Sequence, residues 1–200
     1  MRIITGKYKG RHFEIPRSFK ARPTTDFAKE NIFNVLNGYI DFEDAIALDL
    51  FSGTGSITLE LLSRGCSQVI SVELDRDHHR FIQECLNKLT KVEGQRSKVE
   101  GQRSKVEGQR SAVIPIRGDV FRFVKSCKQQ FDFIFADPPY ALDDLDTLPD
   151  KVFSKDILHP GAYFILEHPD EYDFQTHPYF VKEKKYGNVH FSFFEKPQTL

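Results

Sequence analysis

The sequence predicts an α/β protein built on a doubly wound, mostly parallel sheet, and three observations lead there. Five apolar, strand-like runs lie between residues 45 and 167, and helical stretches separate them. Strands alternating with helices form parallel βαβ units. Acidic or Gly-containing turns follow the first four runs, at the sheet edge where ligands sit in such folds. Two further β-rich segments flank Gly187-Asn188, the chemistry of a closing antiparallel hairpin.

The elements follow in order. Residues 3–5 and 11–15 flank the turn Gly6-Lys7-Tyr8-Lys9-Gly10 and read as a small N-terminal hairpin. Residues 26–36 read as a helix, with Thr25 or Asp26 as its N-cap. Residues 45–51 (AIALDLF) form a buried strand, 56–63 a short helix and 68–73 (QVISVE) a second strand. Residues 76–89 are helical, because Phe81, Ile82, Cys85, Leu86 and Leu89 fall on one face. A third strand at 112–117, a helix at 120–127 and a fourth strand at 131–136 (FDFIFA) follow. A helix at 143–153, a fifth strand at 162–167 and the hairpin strands 180–185 and 190–195 complete a sheet of seven.

Residues 91–111 stand apart: Lys-Val-Glu-Gly-Gln-Arg-Ser occurs three times without a difference. One apolar residue per unit cannot form a coiled-coil seam, and Gly opposes helix. The run reads as an insertion, either a polar mobile loop or a frayed helix extension.

Composition excludes several classes. Hydrophobic residues make up 40% and charged residues 28%, an ordinary globular balance. Apolar runs fall far short of the ~20 residues that span a bilayer. The N-terminus shows no apolar signal core. Cys66, Cys85 and Cys127 form no CxxC pair. The expectation is a cytoplasmic monomer with reduced thiols and no membrane contact. The seven His residues show no metal spacing, and His78-His79 on one helix point about 100° apart, so both read as surface and no metal is expected. The net charge of −1 hides an asymmetry: residues 1–22 carry seven basic residues against Glu14 alone. A basic arm (1–22) on an acidic body (23–200) suits contact with a polyanion; a solvated hairpin is the plain alternative.

The strand ends carry the chemistry. Asp49-Leu50-Phe51-Ser52-Gly53-Thr54-Gly55 follows the first strand, and its glycines allow a tight turn and close backbone approach. Glu73 ends the second strand, where a carboxylate can accept both hydroxyls of a ribose. Gly118-Asp119-Val120 follows the third, a polar grip beside an apolar residue able to flank a purine; Asp119 is equally a helix N-cap. Asp137-Pro138-Pro139-Tyr140 follows the fourth. A dinucleotide site would want a third Gly after Gly53 and Gly55, and a triphosphate site a Walker lysine; both are missing. Asp49 at the head of the Gly loop suits a cationic ligand, and S-adenosylmethionine carries an ammonium and a sulfonium.

DLFSGTG, VELD, GDV and DPPY resemble the successive motifs of class I, Rossmann-like S-adenosylmethionine-dependent methyltransferases. The N-terminal RIITGKYKGR, with Arg22-Pro23-Thr24-Thr25-Asp26 and Glu30-Asn31-Ile32-Phe33-Asn34, is similar to the RsmD family of 16S rRNA guanine-N2 methyltransferases, as is Tyr186-Gly187. The resemblance covers nearly the whole chain outside 91–111, although Phe27 replaces a usually basic residue. It implies that Asp49, Phe51, Gly53 and Gly55 hold the methionine end, Glu73 the ribose, and Asp119 with Val120 the adenine. Thr24 and Thr25 would close over the cofactor. Arg2, Lys7, Lys9, Arg11 and Arg22 would face 16S rRNA, with the small ribosomal subunit as the favoured substrate.

Asp137, Pro138 and Tyr140 are the implied catalytic residues, with Asp137 also beside the cofactor. An exocyclic guanine amine is a poor nucleophile. The Asp137 carboxylate and Pro138 carbonyl can accept its hydrogens and aim its lone pair, the prolines stiffen the loop, and Tyr140 can stack on a flipped base. Two alternatives stay open: an N6-adenine methyltransferase of DNA or RNA, and a non-catalytic RNA-binding relative.

Overall fold

A computed structural model describes residues 1–19, 26–99 and 112–198. The strands are β1 (Ile46–Leu50), β2 (Gln68–Glu73), β3 (Ala112–Arg117), β4 (Phe131–Ala136), β5 (Leu158–His168), β6 (Phe180–Tyr186) and β7 (Val189–Glu195). The helices are α1 (Asp26–Leu36), α2 (Ser56–Ser63), α3 (Arg76–Val99), α4 (Val120–Ser126) and α5 (Leu148–Phe153). One seven-stranded sheet runs β3-β2-β1-β4-β5-β7-β6. β1 to β5 are parallel, and β7 lies antiparallel between β5 and β6. The doubly wound sheet and the closing hairpin are thus as the sequence predicts.

Side-chain alternation along the strands builds two cores. Leu48, Leu50, Ile134 and Ala136 pack on one face with Val120, Val124, Leu148 and Val152 of α4 and α5. Ala47, Phe133, Phe135 and Ile165 pack on the other with Ile32, Phe33 and Leu36 of α1 and Ile57 and Leu61 of α2. The N-terminal arm adds a third cluster, in which Ile3 and Phe13 meet Leu59 and Leu62 of α2 and Phe81 and Cys85 of α3.

Four boundaries differ from expectation, each for a physical reason. The N-terminal hairpin forms, with the amides of Ile3, Gly10 and Phe13 donating to the carbonyls of Arg11, Ile3 and Met1 at 2.9 Å each, but among the described residues it pairs over one bridge alone, Arg2 to His12, because the residues next along the chain dock on α2. The amides of Ile4 and Thr5 donate to the Glu60 carboxylate at 2.7 and 3.0 Å. Lys7 and Tyr8 donate to the Ser63 carbonyl and hydroxyl at 2.7 and 2.9 Å. Gly6 permits this approach: its φ is +84°, and a Cβ there would lie 1.8 Å from the Ser63 carbonyl oxygen. Helix α3 continues beyond Leu89 to Val99, through the first repeat unit, which favours the helix-extension reading of the repeat over the loop as far as Val99. Its Lys, Glu, Gln and Arg are good helix formers, and extending an existing helix is easy. Residues 100–111 lie outside the described residues. β5 begins at Leu158, four residues earlier than expected, because Leu158 already pairs with Phe131 before a register shift brings Tyr163 opposite Phe133. A 3-10 turn (Leu145–Thr147) precedes a shorter α5, restarted by Pro149.

Candidate active site

The parallel strands deliver their carboxyl ends to one edge, and four carboxylates gather there: Asp49 of β1, Glu73 of β2, Asp137 after β4 and Glu167 of β5. The Gly loop follows β1. Phe51 adopts φ +58°, a strained value for an aromatic residue, and its ring meets Phe121 of α4 edge-on. Gly55 opens α2 at φ +78°, and a Cβ there would press to 2.8 Å from Ile82 Cγ1, so the loop and α3 close together only over glycine.

Glu73 ties two turns together. One carboxylate oxygen accepts the Gly53 amide at 2.7 Å, the other the Asp75 amide at 2.7 Å. His78 Nδ1 lies 4.0 Å away, and His79 Nε2 is 3.2 Å from the Pro115 carbonyl. The histidine pair expected at the surface is instead half-buried, because α3 starts directly behind Glu73 and packs its first turn on β3. Glu73→Ala is expected to weaken S-adenosylmethionine binding by about 1.5–3 kcal/mol. It should also lower the melting temperature without ligand, because two backbone N–H groups lose their acceptor. Calorimetric titration and thermal melting check the pair; unchanged affinity removes Glu73 from the ligand site.

Asp49 is 1% exposed and accepts from Thr58 Oγ1 at 2.5 Å. Burial first, then the Asp137 and Glu73 carboxylates, pushes its carboxyl up to about 7, against the Thr58 hydrogen bonds. The folded protein therefore holds this proton more tightly than the unfolded chain, and ionising Asp49 costs stability as pH rises from about 4 through 7. A cationic ligand favours the ionised form. Affinity for S-adenosylmethionine is expected to rise with pH up to about 7 and then level, with Asp49→Asn flattening the profile. Titrations between pH 5.5 and 8.5 check this; a parallel slope in the variant refutes it.

Asp119 caps α4, accepting the Arg122 amide at 2.8 Å. Val120 is 3% exposed and sits in the core with β1 and β4. After β4, Pro138 is buried and Tyr140 is 44% exposed, a rigid turn with an accessible ring. Tyr140 Oη donates to Glu167 Oε1 at 3.4 Å.

The arm runs along α2. Arg2 pairs with Asp26 at 3.4 Å, and its carbonyl accepts from Lys29 Nζ at 2.5 Å, near the Gly-loop end of α2. Lys7 and Lys9 are exposed, Arg11 half-buried, and Lys7 sits at the Ser63 end, about 10 Å away along an eight-residue helix. Phe27 is 69% exposed on the first turn of α1. Arg22, Thr24 and Thr25 lie outside the described residues.

The family model described as "Conserved hypothetical protein 95", the RsmD family, matches residues 1–195. The chain belongs to the RsmD family. It is 32% identical over 174 residues to YlbH of Bacillus subtilis, covering 86% of this chain and 84% of that protein. It is 29% identical over 169 residues to ribosomal RNA small subunit methyltransferase D of Haemophilus influenzae, covering 84% of this chain and 78% of that protein. The solved structure of yhhF from Escherichia coli superposes with a TM-score of 0.77 at 24% identity, covering 100% and 99% of the two chains; that likeness concerns the fold.

In this RsmD family member the structure also assembles groups that spacing alone does not reveal. Lys29 of α1 is fully buried, bonding to Ser56 Oγ at 3.0 Å and lying 4.0 Å from Glu60. A lone acid inside the apolar helix SITLELLS was the available signal. Glu167 obeys the same strand-end rule that marks Asp49, Glu73 and Asp137, one strand further on. His168, Glu183 and His190 set donor atoms within 4.8 Å of one another, a cluster made by strand pairing and invisible to sequence spacing. Within it, Ser192 Oγ lies 2.8 Å from His168 Nε2, the Pro169 carbonyl 2.8 Å from His168 Nδ1, and Glu183 Oε1 3.0 Å from His190 Nδ1.

Proposed function

We propose that the chain methylates the exocyclic N2 amine of a guanine in 16S rRNA, using S-adenosylmethionine, on the assembled small ribosomal subunit. It acts as a cytoplasmic monomer. The observation that carries this reading is the convergence of Asp49, Glu73 and Asp137-Pro138-Pro139-Tyr140 on one sheet edge behind a glycine loop. Family membership and the name of the Haemophilus relative support the rRNA substrate. Among the described residues no helix is long and apolar enough to cross a membrane.

The donor set fits the cofactor. An acidic edge suits its cationic methionine end, and a Cβ added at Gly118 would meet nothing within 4 Å, leaving room beside Asp119. Asp49 with the Phe51–Gly55 loop would hold the methionine end, Glu73 the ribose hydroxyls, Asp119 the adenine amine with Val120 beside it, and Thr24 and Thr25 the outer side. When bound, S-adenosylmethionine supplies an electrophilic methyl group. The protein's own task is then to make the amine nucleophilic. Asp137 and the Pro138 carbonyl accept its hydrogens and concentrate its lone pair, preorganised by two prolines. Tyr140 offers the face on which the base stacks.

The test is incubation of the protein and labelled S-adenosylmethionine with undermethylated small subunits and, separately, naked 16S rRNA, followed by mapping of the label. Guanine N2 in the subunits is expected. Label on adenine N6 supports the rival enzyme, and no label on either substrate refutes the reading. Replacing Lys7, Lys9 and Arg11 together with Gln is expected to weaken subunit binding and flatten its salt dependence, since fewer counterions are released. Cofactor affinity should hold. Normal binding across a salt series would show that the arm does not touch phosphate.

A further inference from the structure

β4 and β5 pair in parallel up to Ala136 and Leu166, so Asp137 and Glu167 are the next residues on neighbouring strands and share a face of the sheet. Glu167 is 5% exposed. Its Oε1 accepts from Tyr140 Oη at 3.4 Å. Its Oε2 is buried and has no hydrogen-bond partner. A buried acid in this position is costly unless paired, and nothing cationic pairs with it among the described residues. The lysine in register is Lys184 on β6, beyond Phe191, two strand spacings or about 10 Å away and exposed. The other groups facing Glu167 are Asp137 and Tyr140.

Two adjacent carboxylates in a low-dielectric pocket do not both ionise; one keeps a proton. The less exposed member is Glu167, and burial, with the Asp137 charge second, drives its carboxyl well above the carboxylate range. A proton there supplies the missing partner. The acid then bonds to Asp137 through its O–H while its other oxygen keeps the Tyr140 hydroxyl.

We propose that Glu167 is a positioning residue: held as a neutral acid, it donates to the Asp137 carboxylate and accepts from Tyr140, fixing both residues that receive the target base. This role rests on the function proposed above. It leaves the single negative charge of the pair on Asp137, where the amine needs an acceptor. It also ties the stacking ring to that acceptor through one side chain, so the spacing between amine and ring plane is set before substrate arrives.

Glu167→Gln imitates the neutral acid, with an N–H to donate and a carbonyl to accept. Single-turnover transfer in Glu167→Gln is expected to stay within about threefold of wild type. Glu167→Leu should lower it up to about 100-fold, the cost of a misplaced reacting group, with calorimetric cofactor affinity unchanged. A readout free of activity uses protein with 13C-labelled glutamate. The Glu167 carboxyl resonance, identified by its loss in Glu167→Gln, is expected at the protonated position at pH 7 in protein without cofactor. An ionised Glu167 at pH 7 overturns the proposal, even where Glu167→Leu fails to fold. So does a Glu167→Gln variant as slow as Glu167→Leu. Wild-type protein that labels no substrate refutes the function and this role with it. A fully active Glu167→Leu refutes this role alone.

Discussion

Asp137→Ala is expected to slow methyl transfer about 100-fold or more at saturating cofactor and subunit, the range for deleting one preorganised transition-state partner. The reason lies in when its charge matters. The amine becomes cationic as the carbon–nitrogen bond forms, so a carboxylate accepting its hydrogens binds the transition state more tightly than the ground state. Turnover should therefore fall more than affinity for either substrate. Asp137→Asn keeps one carbonyl acceptor and is expected to lose only part of the rate. Pro138 still offers its carbonyl in both variants, so some activity survives. Single-turnover assays beside separate binding titrations decide the matter. Wild-type transfer by a saturated Asp137→Ala protein would show that the Asp137 carboxylate only shapes the loop and that the proposed mechanism is wrong.

Glu60→Ala should have the largest effect on stability, about 3–5 kcal/mol, the usual cost of removing one partner from a buried ion pair. Glu60 is fully buried and accepts from the amides of Ile4 and Thr5 and from Arg64 Nε at 3.0 Å. Its loss leaves Lys29, whose pKa burial already lowers, with its ammonium deep in the protein. The arm also loses its two central anchors. Urea denaturation is expected to show the loss, and trypsin should cut at Lys7 and Lys9 faster in the variant. Unchanged stability and an equally protected arm would show that Ile3 and Phe13 hold the arm by packing alone. Glu60→Gln keeps an acceptor for the amides and should retain most of the arm's protection.

Much of this architecture is legible in the residues, and the unreadable part has a common cause. Strands such as FDFIFA and QVISVE declare themselves because a strand buried on both faces is rich in β-branched and aromatic residues with few polar interruptions. The edge motifs are legible because ligand chemistry puts Gly and acidic residues where strands stop. What escapes is whatever depends on a distant partner. The arm reads as a hairpin because its Gly-flanked turn is local, and the hairpin forms, with Ile3 bonded to Arg11 and Phe13 to Met1; what escapes is that the turn also docks on Glu60 and Ser63 of α2. Asp119 offers both a cap and a ligand role in sequence, and the structure shows the cap in use. Lys29 looks like one more solvent lysine on a helix until α2 supplies its acid. Glu167 ends an apolar run like its three counterparts, but its meaning comes from Asp137 across the ladder.

The position of β7 between β5 and β6 has a consequence for the order of assembly. During synthesis β6 is made before β7, yet among the described residues its only neighbour in the sheet is β7. β6 therefore has nothing to pair with when it first appears. Until residues 189–195 are available, β5 presents an open apolar edge with unpaired backbone groups, the kind of template that recruits foreign strands. The strand that closes this edge also carries Phe191, which packs against Phe135, and pairs with β5 through Glu167. Completion of the fold and alignment of Glu167 beside the Asp137–Tyr140 turn are thus one late event, so a nascent molecule lacking β7 is both unprotected and unaligned at the proposed site.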